Sequence, residues 1–136
     1  MQNDSCVLCA IAQGKVATAR ILRASERAMA ALNTREPQSR GHLVIFPRRH
    51  STALHDMERE DAADVFELIR KLARALRLEN YNVLHNAGAL AGQTVFHAHI
   101  HLIPTTGDHE GLKFAWSTER EFDQQGWYEA VSANEL

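Results

Sequence analysis

Short apolar runs bounded by polar turns fill most of this chain, and one long stretch instead repeats its apolar residues every three or four positions. Arg20 to Ala24 and Ala28 to Leu32 are two such runs, parted by Ser25-Glu26-Arg27, and Gly41 to Pro47 is a third, closed by its proline. Each has strand length and turn-forming neighbours, so each predicts a strand. Residues 33–40, with Pro37 and Ser39, predict a loop. From Glu58 to Arg77 the period changes. Ala62, Val65, Phe66, Ile69, Leu72, Ala73 and Leu76 fall on one stripe, which predicts a helix with Asp56 as its N-cap. Tyr81 to His85 predicts a further strand, residues 86–92 a loop, and Thr94 to Ile103 a last strand stopped at Pro104. Short helices are expected at Cys6 to Gln13 and in the tail that carries Trp116, Phe122, Trp127 and Tyr128, with a polar loop at Thr105 to Gly111 between sheet and tail. Strands on short connections around one amphipathic helix imply an α+β fold on an antiparallel sheet. No repeat, linker or shift in composition divides the 136 residues, so residues 1–136 are expected to form one domain.

Composition changes this picture little. The chain is 45% apolar and 24% charged, as in ordinary globular proteins. A net charge of −2 argues against a dedicated nucleic-acid binder. No apolar run approaches membrane-spanning length and the first residues lack a basic-then-apolar segment, so the expectation is a cytoplasmic protein with no membrane partner. Cys6 and Cys9 are spaced C-x-x-C, which in a reducing compartment points to metal or redox chemistry; no thioredoxin-type strand–helix pattern surrounds them, which favours the metal.

The candidate chemistry lies in His97-Ala98-His99-Ile100-His101-Leu102-Ile103. In a strand the three imidazoles would share one face, with Phe96, Ala98, Ile100 and Leu102 turned to a core. Imidazole is nucleophilic, binds metal and changes charge near neutral pH. Around the row stand Gly92-Gln93-Thr94, Gly41-His42 leading into Phe46-Pro47, His50 just beyond, and Cys6-x-x-Cys9. His55, His85 and His109 match no part of this pattern and are expected to be surface or packing residues.

From Cys6 to about Pro104 this combination resembles the histidine-triad (HIT) family of nucleotidyl hydrolases and transferases. The resemblance implies a five-stranded antiparallel sheet with one long and one or two short helices, paired with a second copy as a homodimer. It implies a purine nucleotide substrate, either a nucleoside phosphoramidate or a dinucleoside polyphosphate, cleaved at the α-phosphate through a nucleotidyl-histidine intermediate. His99 would be the nucleophile, His101 would contact the phosphate and protonate the leaving group, and His42 would be a fourth active-site histidine. Gln93 and Thr94 match polar donors near the α-phosphate, Asn33 a contact to the ribose hydroxyls, and Asn86 a loop position near the phosphates. Leu8, Ile11 and Phe46 are expected to wall the base. In members that keep Cys-x-x-Cys, a structural zinc is implied on Cys6, Cys9, His50 and His97, and magnesium would accompany only a polyphosphate substrate. Transferase relatives carry proline between the first two histidines and glutamine in place of the third. Ala98 and His101 stand there in this chain and favour hydrolysis over nucleotidylyl transfer. A nucleotide- or partner-binding protein with incidental hydrolysis would use the same residues.

Overall fold

The computed structural model describes residues 3–107, 110–113, 115–118 and 121–134; His109 and part of the expected Thr105 to Gly111 loop lie outside them. Its centre is a five-stranded antiparallel sheet of β1 (Ile21–Ala24), β2 (Ala28–Leu32), β3 (Leu43–Pro47), β4 (Tyr81–Leu84) and β5 (Ile100–Pro104), in the order β1-β2-β3-β5-β4. Helix α1 (Val7–Ala12) precedes the sheet, α2 (Arg59–Ala75) links β3 to β4, and α3 (Gln124–Ser132) follows it. The sheet is the one expected from the family resemblance.

Alternation along the central strands gives the sheet two working faces. Ala28 and Ala30 of β2, Leu43 and Ile45 of β3, and Ile100 and Leu102 of β5 pack against Val65, Leu68, Ile69 and Leu72 of α2. The intervening residues turn the other way, where Met29, Ala31 and Phe46 meet Leu8 of α1. Val44 pairs with His101 across the β3–β5 ladder, so His101 belongs to this second face.

Three expectations change. The stripe on α2 that is buried runs Asp61, Val65, Leu68, Ile69, Leu72 and Ala73, while Phe66 and Leu76 are exposed. The helix is thus rotated toward a buried carboxylate, and Asp61 is accommodated because Arg27 Nη1 at 3.2 Å and Arg49 Nε at 3.5 Å neutralise it. Asp56 is not the N-cap of α2. It lies in a separate 3-10 turn, Leu54–Asp56, and Glu58 occupies the cap position without a side-chain hydrogen bond. The last strand is also shorter than the Thr94 to Ile103 expected. Residues 95–97 bend, extended pairing starts at Ile100, and Phe96 is 50% exposed rather than in the core. Ala98, Ile100 and Leu102 are buried as expected.

Candidate active site and metal-binding cluster

The segment that enters β5 is held by the loop after β3 instead of by a sheet ladder. Ala98 N–H donates to Ser51 O at 2.6 Å, and Gln93 Nε2 donates to Thr52 O at 2.7 Å. Gln93 also donates to Val95 O and accepts from Gly88 N–H through Oε1. It is only 3% exposed, and both amide hydrogens are committed. Gln93 therefore acts as a clamp in this structure, which departs from the expected phosphate donor. The clamp closes the neck of residues 88–93, where Gln93 N–H also donates to Gly88 O. Gly88 and Gly92 have φ of 87° and 90°, a region open to glycine. Between them Leu90 stands fully exposed at the tip of a 3-10 turn, Ala89–Ala91.

Within this frame each histidine of the row has a different partner. His97 is fully buried, and its Nε2 lies 2.8 Å from Pro47 O. A carbonyl only accepts, so Nε2 carries the proton and the Nδ1 lone pair is free. That Nδ1 faces Cys6 Sγ at 3.3 Å and Cys9 Sγ at 3.5 Å, while His50 Nδ1 lies 3.3 Å from Cys9 Sγ. One ligand atom from each of Cys6, Cys9, His50 and His97 falls within 4.8 Å of the others. Cys6 also N-caps α1, where its Sγ accepts from Cys9 N–H at 3.4 Å, so the short helix presents both sulfurs together. A tetrahedral zinc with ordinary Zn–S and Zn–N bonds sets sulfur–nitrogen edges of about 3.5 Å, and two thiolates with two imidazoles suit it. The donor set fits such an ion. Burial pushes the Cys9 thiol up and His97 down to about 4.

His99 inverts the arrangement. Its Nδ1 lies 2.7 Å from His97 O, so this nitrogen holds the proton and Nε2 is the one with a free lone pair. The ring is 9% exposed, and burial, only partly offset by the carbonyl bond, lowers its pKa below the usual imidazole value. Burial thus favours the neutral ring, and the carbonyl bond at Nδ1 keeps its Nε2 lone pair available.

His101 belongs to a relay. Gln38 N–H donates to His42 Nδ1 at 3.0 Å, which leaves the His42 proton on Nε2. That Nε2–H donates to His101 Nδ1 at 2.8 Å, so His101 carries its own proton on Nε2. The rings of His99 and His101 meet edge-on with centroids 5.1 Å apart. Burial holds His42 below its usual pKa and His101 down to about 4, the latter aided by repulsion from its imidazole neighbours.

The other expected site residues are placed unevenly. Asn33 Oδ1 accepts from Arg35 and Glu36 N–H at 3.2 Å each, so only its amide hydrogens remain to offer a hydroxyl. Asn86 is half-buried against Gly92, and Thr94 is exposed beside the clamp. Leu8 and Ile11 lie together next to Phe46, but Phe46 is wholly buried and meets His97 edge-on at 5.8 Å. Phe46 supports the metal-side histidine and cannot face a base. Sequence reasoning expected His85 to be a surface or packing residue and missed its bonds: its Nδ1 lies 2.9 Å from His99 O and its Nε2 3.1 Å from Leu54 N. Its only sequence signal is its place at the end of β4. Trp116 and Trp127 of the tail are exposed in the single chain.

Comparison with known proteins agrees with this geometry. Residues 15–108 match the family described as the HIT domain. The chain is 35% identical over 112 residues to an adenosine 5'-monophosphoramidase of Schizosaccharomyces pombe, covering 82% of this chain and 83% of that protein. A solved structure of a HIT family member from Bacillus subtilis superposes with a TM-score of 0.86 at 28% identity, covering 98% of this chain and 99% of its own. The histidine triad nucleotide-binding protein of Candida albicans superposes with a TM-score of 0.84 at 30% identity, over 94% of this chain and 95% of its own. The chain belongs to the histidine-triad family.

Proposed function

We propose that this protein hydrolyses nucleoside phosphoramidates, and by the same chemistry dinucleoside polyphosphates, at the α-phosphate of a purine nucleotide. The similarity to an adenosine 5'-monophosphoramidase supports the substrate class. The observation that carries the mechanism is the 2.7 Å bond from His99 Nδ1 to His97 O, which leaves Nε2 as an oriented, unprotonated nucleophile.

In the first step His99 Nε2 forms a bond to the α-phosphorus while the bond to the leaving nitrogen or oxygen breaks. His101 Nε2–H would donate a hydrogen bond to that departing atom, which takes its proton from solvent, and the Gln38–His42–His101 relay keeps that hydrogen on the correct nitrogen. An anionic phosphate beside His101 would also raise the pKa that burial has lowered. In the second step water attacks phosphorus, the phosphorus–His99 bond breaks, the nucleoside monophosphate leaves, and the water proton passes to solvent. Asn33, Asn86 and Thr94 remain the candidates for ribose and phosphate contacts. Any magnesium would arrive with a polyphosphate substrate.

Cys6, Cys9, His50 and His97 would hold a structural zinc, whose contribution is to pin α1 to the start of the histidine row. Metal analysis of protein purified without chelator should find one equivalent. We also place the chain in a homodimer: β4 is an edge strand with Tyr81 and Val83 exposed, which supports pairing with a second copy. Light scattering giving the monomer mass would remove that assignment. No helix among the described residues is long and apolar enough to cross a membrane.

The functional test is a panel of adenosine and guanosine phosphoramidates, dinucleoside tri- and tetraphosphates and nucleotide sugars, assayed for monophosphate release. Phosphoramidates should be cleaved and an acid-labile nucleotidyl peptide containing His99 should be trapped by rapid quenching. Release from none of them would leave a nucleotide-binding protein.

A further inference from the structure

We infer that His85 is a positioning residue for His99, holding the peptide from which that ring is aimed. The inference rests on the reading of His99 as nucleophile.

The β4–β5 ladder ends with Leu84 opposite His101. One residue further, the His85 side chain continues the connection that the backbone gives up. Its Nδ1 lies 2.9 Å from the carbonyl oxygen of His99, and Leu54 N–H points at its Nε2 from 3.1 Å. An amide N–H only donates and a carbonyl only accepts. Nε2 must therefore be the acceptor and Nδ1–H the donor, so one neutral tautomer satisfies both ends of the ring. The imidazole becomes a strut between the 3-10 turn Leu54–Asp56 and the His99 peptide.

A strut is needed at this point. His99 precedes the first residue of β5 and lies just after the bend at residues 95–97. The same loop that receives His85 at Leu54 also receives Ala98 N–H at Ser51 O and Gln93 at Thr52 O. Three ties thus hold the entry to β5, and His85 is the one that acts on the nucleophile's own carbonyl. A rotation of the His99–Ile100 peptide would swing the His99 ring, whose reach to phosphorus requires tight placement.

The three substitutions His85→Leu, His85→Asn and His85→Gln separate this role from simple packing. Asparagine can place an amide N–H near the position of Nδ1. Glutamine reaches toward Leu54 but moves the donor away from His99 O, and leucine supplies neither bond. In full-length, metal-replete protein acting on adenosine 5'-phosphoramidate, His85→Leu and His85→Gln should lower kcat about tenfold with KM within about twofold, and His85→Asn should recover most of it. A second readout needs no turnover. By 15N-edited NMR of the free protein, exchange of the His99 Nδ1 proton with water should accelerate in His85→Leu and return toward the parent rate in His85→Asn. An unchanged kcat and exchange rate in His85→Leu, or an asparagine variant no better than leucine in both, overturns the role of His85. His99→Ala tests the underlying reading separately: if that variant turns over normally, the nucleophile assignment fails whatever His85 does.

Discussion

His97 and His99 are two residues apart, both precede the paired part of β5 and both are buried, yet they offer opposite nitrogens. His97 directs its Nε2–H to Pro47 O and turns Nδ1 to the two sulfurs, whereas His99 directs its Nδ1–H to His97 O and keeps the Nε2 lone pair. The side chains are identical, so the backbone carbonyl each one meets decides its chemistry. A regular strand would have set both rings in the same attitude. Leaving the ladder before Ile100 lets the chain aim one toward the cysteines and the other away from them, toward His101.

The comparison can be broken first at His99. His99→Ala should lower kcat for phosphoramidate cleavage at least about 10³-fold while the metal content stays at one equivalent. Equal loss of metal would mean that the two halves are not separate. The converse is Cys9→Ser, which should release the metal and lower the thermal midpoint by about 5–10 °C, a change of about 2 kcal/mol at this chain length, read by calorimetry. Residual activity should survive, because His99 keeps its bond to the His97 carbonyl rather than to the His97 ring.

His42→Ala removes the relay that fixes the His101 tautomer and should reduce kcat about tenfold, with KM nearly unchanged. The effect should be larger for poor leaving groups, which depend most on the hydrogen bond from His101; a uniform loss across leaving groups would deny the relay its part. The smallest effect concerns acid. Folding holds His97 and His101 near pKa 4, below the usual 6.5, so the unfolded chain binds protons that the folded one refuses. Stability of the metal-free protein should be full above about pH 6.5 and decline as pH falls toward 4, measured as a falling urea midpoint. In His101→Asn that decline should be shallower.

Much of this was legible in the sequence because strands and motif coincide. The runs at Ala28 to Leu32 and Leu43 to Pro47 are apolar on both faces, as central strands must be, and Cys6, Cys9, His50 and His97 come together as the family pattern implies. What escaped has physical causes. An apolar stripe cannot reveal Asp61, since its burial depends on Arg27 and Arg49 arriving from other parts of the chain. The alternation Phe96, Ala98, Ile100 suggested strand throughout, but pairing with β3 extends only from Ile45 opposite Ile100, and Phe96 falls outside it. Gln93 carried the chemistry of a phosphate donor, yet three backbone partners consume its amide. His85 lacked any motif because its importance comes from two main-chain atoms, and sequence does not mark those.

The knot tied by Gln93 across residues 88–93 has a bearing on how relatives of this enzyme diversify. A small hairpin fastened at its base can be rewritten at its crown. Replacing or lengthening residues 89–91 around the solvent-borne Leu90 leaves the fastening, and the imidazoles anchored beneath it, where they are. Sequence at that crown can therefore change without disturbing the fastening beneath it.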